Sequence, residues 1–117
     1  MKVLIAITRD EIAPRFDLAV EAIIAEVTDG SVPDEPRHLL LSEPSGDEFC
    51  TLAVRESVDV VLCGGIDEMH YDYLSWKKIS VVDGVIGPYA EALELLANAK
   101  LKPDAILPGA ANEEDGS

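Results

Sequence analysis

The chain has 117 residues, 48% hydrophobic and 27% charged, with 23 acidic residues against 9 basic ones and a net charge of −14. That length supports one domain with its own core. A surface this acidic repels nucleic-acid backbones and anionic membranes, and no apolar run approaches the ~20 residues of a membrane span. Cys50 and Cys63 are the only cysteines. They are too few for a disulfide framework and read as free thiols in the cytoplasm.

Lys2–Thr8 is continuously apolar and β-branched, the pattern of a central strand buried on both faces. It lacks the length and flanks of a signal peptide. Residues 9–17 read as a polar loop around Pro14. A second strand is expected over 21–28, closed by the Asp29-Gly30 hairpin signal. A third, over 31–42, carries Pro33 and Pro36. Proline cannot donate to a ladder, so this strand belongs at a sheet edge. Ser45 and Glu48 have the spacing of a capping box, and Phe49, Leu52, Ala53 and Glu56 then share one helical face.

The fourth strand, 58–63, breaks into Cys63-Gly64-Gly65. Asp67 is placed to cap a helix running to Trp76, with Ile66, His70, Tyr73 and Leu74 inward. A fifth strand over 78–82 breaks at Asp83-Gly84. Pro88 opens a third helix that turns Tyr89, Ala92, Leu93 and Leu96 inward. The small, acidic end reads as a tail, which divides the chain into a domain at 1–102 and a flexible segment at 103–117.

This order predicts an α/β fold: a five-stranded mixed sheet of order 3-2-1-4-5, counted along the chain, with three helices. The order reverses direction between the first and fourth strands, where open α/β sheets bind ligands beyond the strands' carboxyl ends. The loops 9–17 and 63–69 meet there, with 83–87 alongside.

The opening strand, Pro14-Arg15-Phe16, Asp29-Gly30, the Val-Asp-Val-Val-Leu-Cys-Gly-Gly-Ile run ending at Ile66 and the segment 84–93 together resemble the dinitrogenase iron–molybdenum cofactor biosynthesis family, which includes NifX and the C-terminal domain of NifB. The resemblance covers about 2–102. It implies a ribonuclease-H-like fold and the binding or carriage of metal–sulfur clusters, either iron–molybdenum or molybdenum–copper sulfide. The family's first loop usually carries His-Phe-Gly. Here the triplet is Arg15-Phe16-Asp17, and a guanidinium has no lone pair to offer a metal.

Cys63 is the best soft ligand, because thiolate matches soft metals. Its alternative is that of a small buried hydrophobe ending a core strand. Gly64 and Gly65 would let a bulky anion approach the backbone, and Arg9 and Arg15 would neutralise it or simply pair with nearby carboxylates. His70 is an optional metal ligand beside Cys63, or a core histidine. Cys50, near the start of its helix, would have a lowered pKa if exposed. Converging carboxylates, a phosphate loop and a dinucleotide fingerprint are not recognisable, so an enzyme is not expected. The expected function is non-catalytic binding of an anionic metal–sulfur cluster. The alternative is a metal-free accessory module that binds a protein partner in a cluster-handling or redox assembly.

Overall fold

The computed structural model describes residues 1–32 and 34–110. Strand β1 (Lys2–Thr8) forms the middle of a mixed sheet. It turns through Arg9 and Asp10 into the two-residue β2 (Glu11–Ile12), which folds back on it with Ile7 opposite Ile12. A 3-10 turn at Phe16–Leu18 leads to β3 (Glu21–Glu26), and β4 (Arg37–Leu40) follows. Then come helix α1 (Gly46–Arg55), β5 (Val60–Leu62), α2 (Glu68–Trp76), β6 (Ser80–Val82) and α3 (Tyr89–Ala97). The sheet runs β4-β3-β1-β5-β6, with β2 attached to β1. The β1–β3 and β3–β4 pairs are antiparallel, and the β1–β5 and β5–β6 pairs are parallel.

The two-residue period of β1 explains the layers. Leu4 and Ala6 enter one core with Phe16, Phe49, Ala53, Val61, Cys63 and Leu74, beneath α1 and α2. Val3, Ile5 and Ile7 enter the other with Ile23, Leu62, Ala92 and Leu93, beneath α3. A strand covered on both faces has no room for polar side chains, which is why β1 reads as unbroken apolar sequence.

Local signals start the helices. Ser45 Oγ accepts from the Glu48 amide at 3.0 Å, and Asp67 caps α2 through the His70 amide at 3.2 Å. Each helix ends on a residue with left-handed backbone, at Ser57, Lys78 and Ala99. Bonds such as Val58 N–H to the Ala53 carbonyl at 2.9 Å close these ends.

Several expected boundaries move. The segment read as a polar loop contains β2 and the 3-10 turn, with Ile12, Ala13 and Phe16 buried. The third expected strand shortens to β4, since Pro36 has no N–H for a ladder. Pro33 lies outside the described residues. The fifth starts at Ser80, because Lys78 closes α2. Tyr73, expected inward, is exposed. The domain boundary expected at residue 102 is also displaced. Residues 103–110 lie against the domain, with Ile106 bridged to Ile86 and Leu107 only 3% exposed. The apolar Leu107 fills the α3 core, which outweighs the loop-like composition around it. The remainder of the expected tail, 111–117, lies outside the described residues. Among the described residues no helix is long and apolar enough to cross a membrane.

Candidate functional site

Three connections meet beyond the carboxyl ends of β1, β5 and β6, and backbone hydrogen bonds stitch them together. The Gly65 amide donates to the Pro14 carbonyl at 2.7 Å, and the Phe16 amide donates to the Gly65 carbonyl at 2.8 Å. Gly84 N–H reaches the Gly64 carbonyl at 2.8 Å, while Ile12 N–H reaches the Gly87 carbonyl at 2.9 Å. The two glycines are therefore contact points between loops. A Cβ on Gly64 would lie 2.5 Å from the Ala13 carbonyl oxygen and 2.8 Å from that of Pro14. The absence of a side chain lets the Pro14 loop lie directly on β5's extension. Gly65 is exposed, but its amide is already satisfied by Pro14.

The expected site residues separate. Arg9 and Arg15 are both exposed on the 9–17 loop. Arg9 borders a shallow groove with Thr8, Asp10, Glu11, Ile12 and Pro14. Arg15 is held in a fork by Asp17, at 3.1 Å from Nε and 2.9 Å from Nη2. Cys63 is fully buried in the core beneath α1 and α2. Burial, followed by the charge of Asp83, pushes its thiol up to about 12. In this conformation it is a packed hydrophobe and presents no thiolate at the sheet edge.

His70 sits at the seam of α1 and α2. Its Nδ1 lies 2.5 Å from Asp67 Oδ1 and its Nε2 lies 2.8 Å from Asp47 Oδ1. Only the imidazolium donates from both nitrogens, so this arrangement selects the charged form. Burial opposes that charge, but the bonds to Asp67 and Asp47 outweigh it and raise the pKa above the ordinary 6.5. Gly46 makes room for the ring, since a Cβ there would lie 2.7 Å from it. The Phe16 ring covers it at 5.9 Å between centroids. With both nitrogens engaged, His70 joins two helices, and a metal would have to displace a carboxylate.

Sequence reasoning missed Asp47, whose only signal is an acidic residue in the first turn of α1. The exposure on which a lowered Cys50 pKa depended is not met: that thiol is buried, and burial followed by the charges of Asp47 and Asp67 raises it to about 12. Cys50 lines a cavity of about 370 Å³ with Asp47, Thr51, Met69, His70 and Tyr73. Among the described residues no three His, Cys, Asp or Glu side chains converge as a metal site.

The pattern of the family described as dinitrogenase iron-molybdenum cofactor matches residues 1–99. Among solved structures, the crystal structure of PH0822 superposes with a TM-score of 0.79 at 20% identity, covering 89% of this chain and 95% of that one. A dinitrogenase-like protein from Methanocaldococcus jannaschii gives a TM-score of 0.71 at 26% identity, over 87% of this chain and 92% of its own. A NifB-like protein from Thermotoga gives 0.66 at 14% identity, over 91% and 96%. At 14% and 20% identity the likeness is one of fold alone. No curated protein matches the chain.

Proposed function

The chain belongs to the dinitrogenase iron–molybdenum cofactor family, and on that premise we propose that it binds or carries an anionic iron–molybdenum–sulfur cluster as cargo. It does so in cofactor biosynthesis or storage, on a ribonuclease-H-like fold, without performing chemistry itself. The observation that carries this reading is the family match over residues 1–99. The family description names iron and molybdenum and makes no mention of copper.

The geometry favours holding the cargo by charge more than by thiolate. Arg9 makes no ion pair among the described residues, and Arg15, exposed on the same loop, would exchange its Asp17 partner for the cargo. Guanidinium groups hydrogen-bond anions without coordinating a metal. The exposed Gly65 leaves the adjoining edge without a side chain. Cys63 would take part only after leaving the core, and His70 only after giving up a carboxylate.

The test is anaerobic reconstitution with iron–sulfur and thiomolybdate species, measuring bound metal and the absorption spectrum. Stoichiometric metal is expected in the wild type and in Cys63→Ser, with loss in the Arg9→Ala, Arg15→Ala double variant. Loss in Cys63→Ser would move the anchor to the thiol. No binding to any of the proteins would remove the cargo reading.

One observation favours the second reading, a metal-free accessory module that binds a protein. Met69, Tyr73 and Trp76 are exposed along one side of α2, and exposed apolar side chains of this size mark interaction surfaces when contiguous.

A further inference from the structure

Helix α2 buries Leu74 and turns a second apolar face outward. Met69 is 74% exposed, Trp76 72% and Tyr73 38%. Their spacing of four and then three residues places them on one line, the repeat of a coiled-coil seam. Trp76 is the chain's single tryptophan. Tryptophan and tyrosine contribute most to binding when they reach an interface centre.

The charges beside this line are what identify an occupant. With Met69 and Trp76 at d positions and Tyr73 at a, Asp72 falls at g and Lys77 at e. Lys77 already leans over the line, its Nζ 4.8 Å from the centre of the Trp76 ring and 5.7 Å from that of Tyr73. Asp72 is exposed on the opposite flank. In a parallel helix pair, a g residue faces the e residue of the following heptad on the other helix. Asp72 then meets Lys77 of the partner subunit, and two-fold symmetry forms the reverse pair as well. Antiparallel packing would instead bring the two Asp72 flanks together.

We propose that the face formed by Met69, Tyr73 and Trp76 docks a second copy of this chain, α2 parallel to α2, with Asp72 and Lys77 pairing across its rim. Met69 and Tyr73 also border the cavity in front of Cys50, so pairing covers that cavity in both copies. A seam of this length is smaller than a standard interface, and a charge of −14 on each copy opposes association. The dimer is therefore weak and is to be sought up to millimolar chain concentration. The inference does not depend on the cluster reading, and its test uses protein without metal.

The experiment is sedimentation equilibrium at about 0.15 M salt, where charges are screened beyond ~8 Å, with Trp76 emission followed in parallel. The mass is expected to rise from one chain to two, with a blue shift as the indole leaves water. Trp76→Ala should abolish both changes. Asp72→Lys and Lys77→Asp should each weaken the dimer by roughly fivefold or more, as expected for an exposed pair made repulsive. Combining them should restore association to within about twofold of the wild type. Circular dichroism confirms that each variant remains folded. A monomer at every concentration overturns the proposal and leaves this face to a different partner. A dimer that survives Trp76→Ala, or that the double swap fails to restore, also overturns it.

Discussion

Replacing Gly64 by alanine separates two roles for the Gly64-Gly65 pair, because a cradle matters only with cargo bound, whereas a packing contact matters in the protein alone. The new Cβ would lie 2.5 Å and 2.8 Å from the carbonyl oxygens of Ala13 and Pro14. Both obstacles are backbone, so no side chain can swing away. The Pro14 loop must retreat, which strains or breaks the bonds from Gly65 N–H to Pro14 and from Phe16 N–H to Gly65. Overpacking costs about 1–3 kcal/mol, and each lost hydrogen bond costs roughly 1 kcal/mol more. Alanine's smaller unfolded-state entropy returns about 0.4–1 kcal/mol. The net loss is about 3 kcal/mol, a large share of the ~5–15 kcal/mol that holds a domain folded. Urea unfolding of metal-free protein should show a lower midpoint at an unchanged slope. Gly65→Ala is the control. Its Cβ would meet one oxygen at 3.2 Å, and its cost should stay below about 1 kcal/mol. If Gly64→Ala unfolds within about 0.5 kcal/mol of the wild type, or if Gly65→Ala costs as much as Gly64→Ala, the packing account fails.

The His70 seam gives a pH dependence of known sign. Its pKa is raised by folding, so its contribution is complete below the unfolded value near 6.5 and is lost as pH rises through the folded one. His70→Gln should cost about 1 kcal/mol at pH 6 and progressively less in alkaline solution. A constant difference across pH would contradict the imidazolium assignment. Leu107→Ala should destabilise by about 2–5 kcal/mol, measured by thermal unfolding, whereas a flexible 103–110 segment would leave stability unchanged. Cys50 and Cys63 should both resist a disulfide reagent at pH 8 in native protein and react fully in denaturant, because burial raises both thiols to about 12. Rapid native labelling of Cys63 would return it to the list of ligands.

Signals contained within a few residues were legible before folding. The two-faced apolar run of β1, the caps Ser45 and Asp67, and Pro36 as a limit on the edge strand each act on neighbours one to four positions away. They were enough to place three helices and a mixed sheet, and the motif combination identified the family. Which loops converge was legible: those around Arg9, Arg15 and Gly65 meet at one end of the sheet, yet an apolar run buried on both faces cannot say whether the residue that ends it, Cys63, points to the core or to the rim.

The local chemistry of the chain thus determined its elements and their capping, since backbone conformation and hydrogen bonding over short separations depend on adjacent side chains. Tertiary structure alone decided the long-range partners. Asp47 reaches His70 across 23 residues, Ala13 and Pro14 press on Gly64, and Leu107 enters a core begun by Val3. Burial and charge at these contacts depend on where the chain returns in space, and that return sets the state of each thiol and of the imidazole.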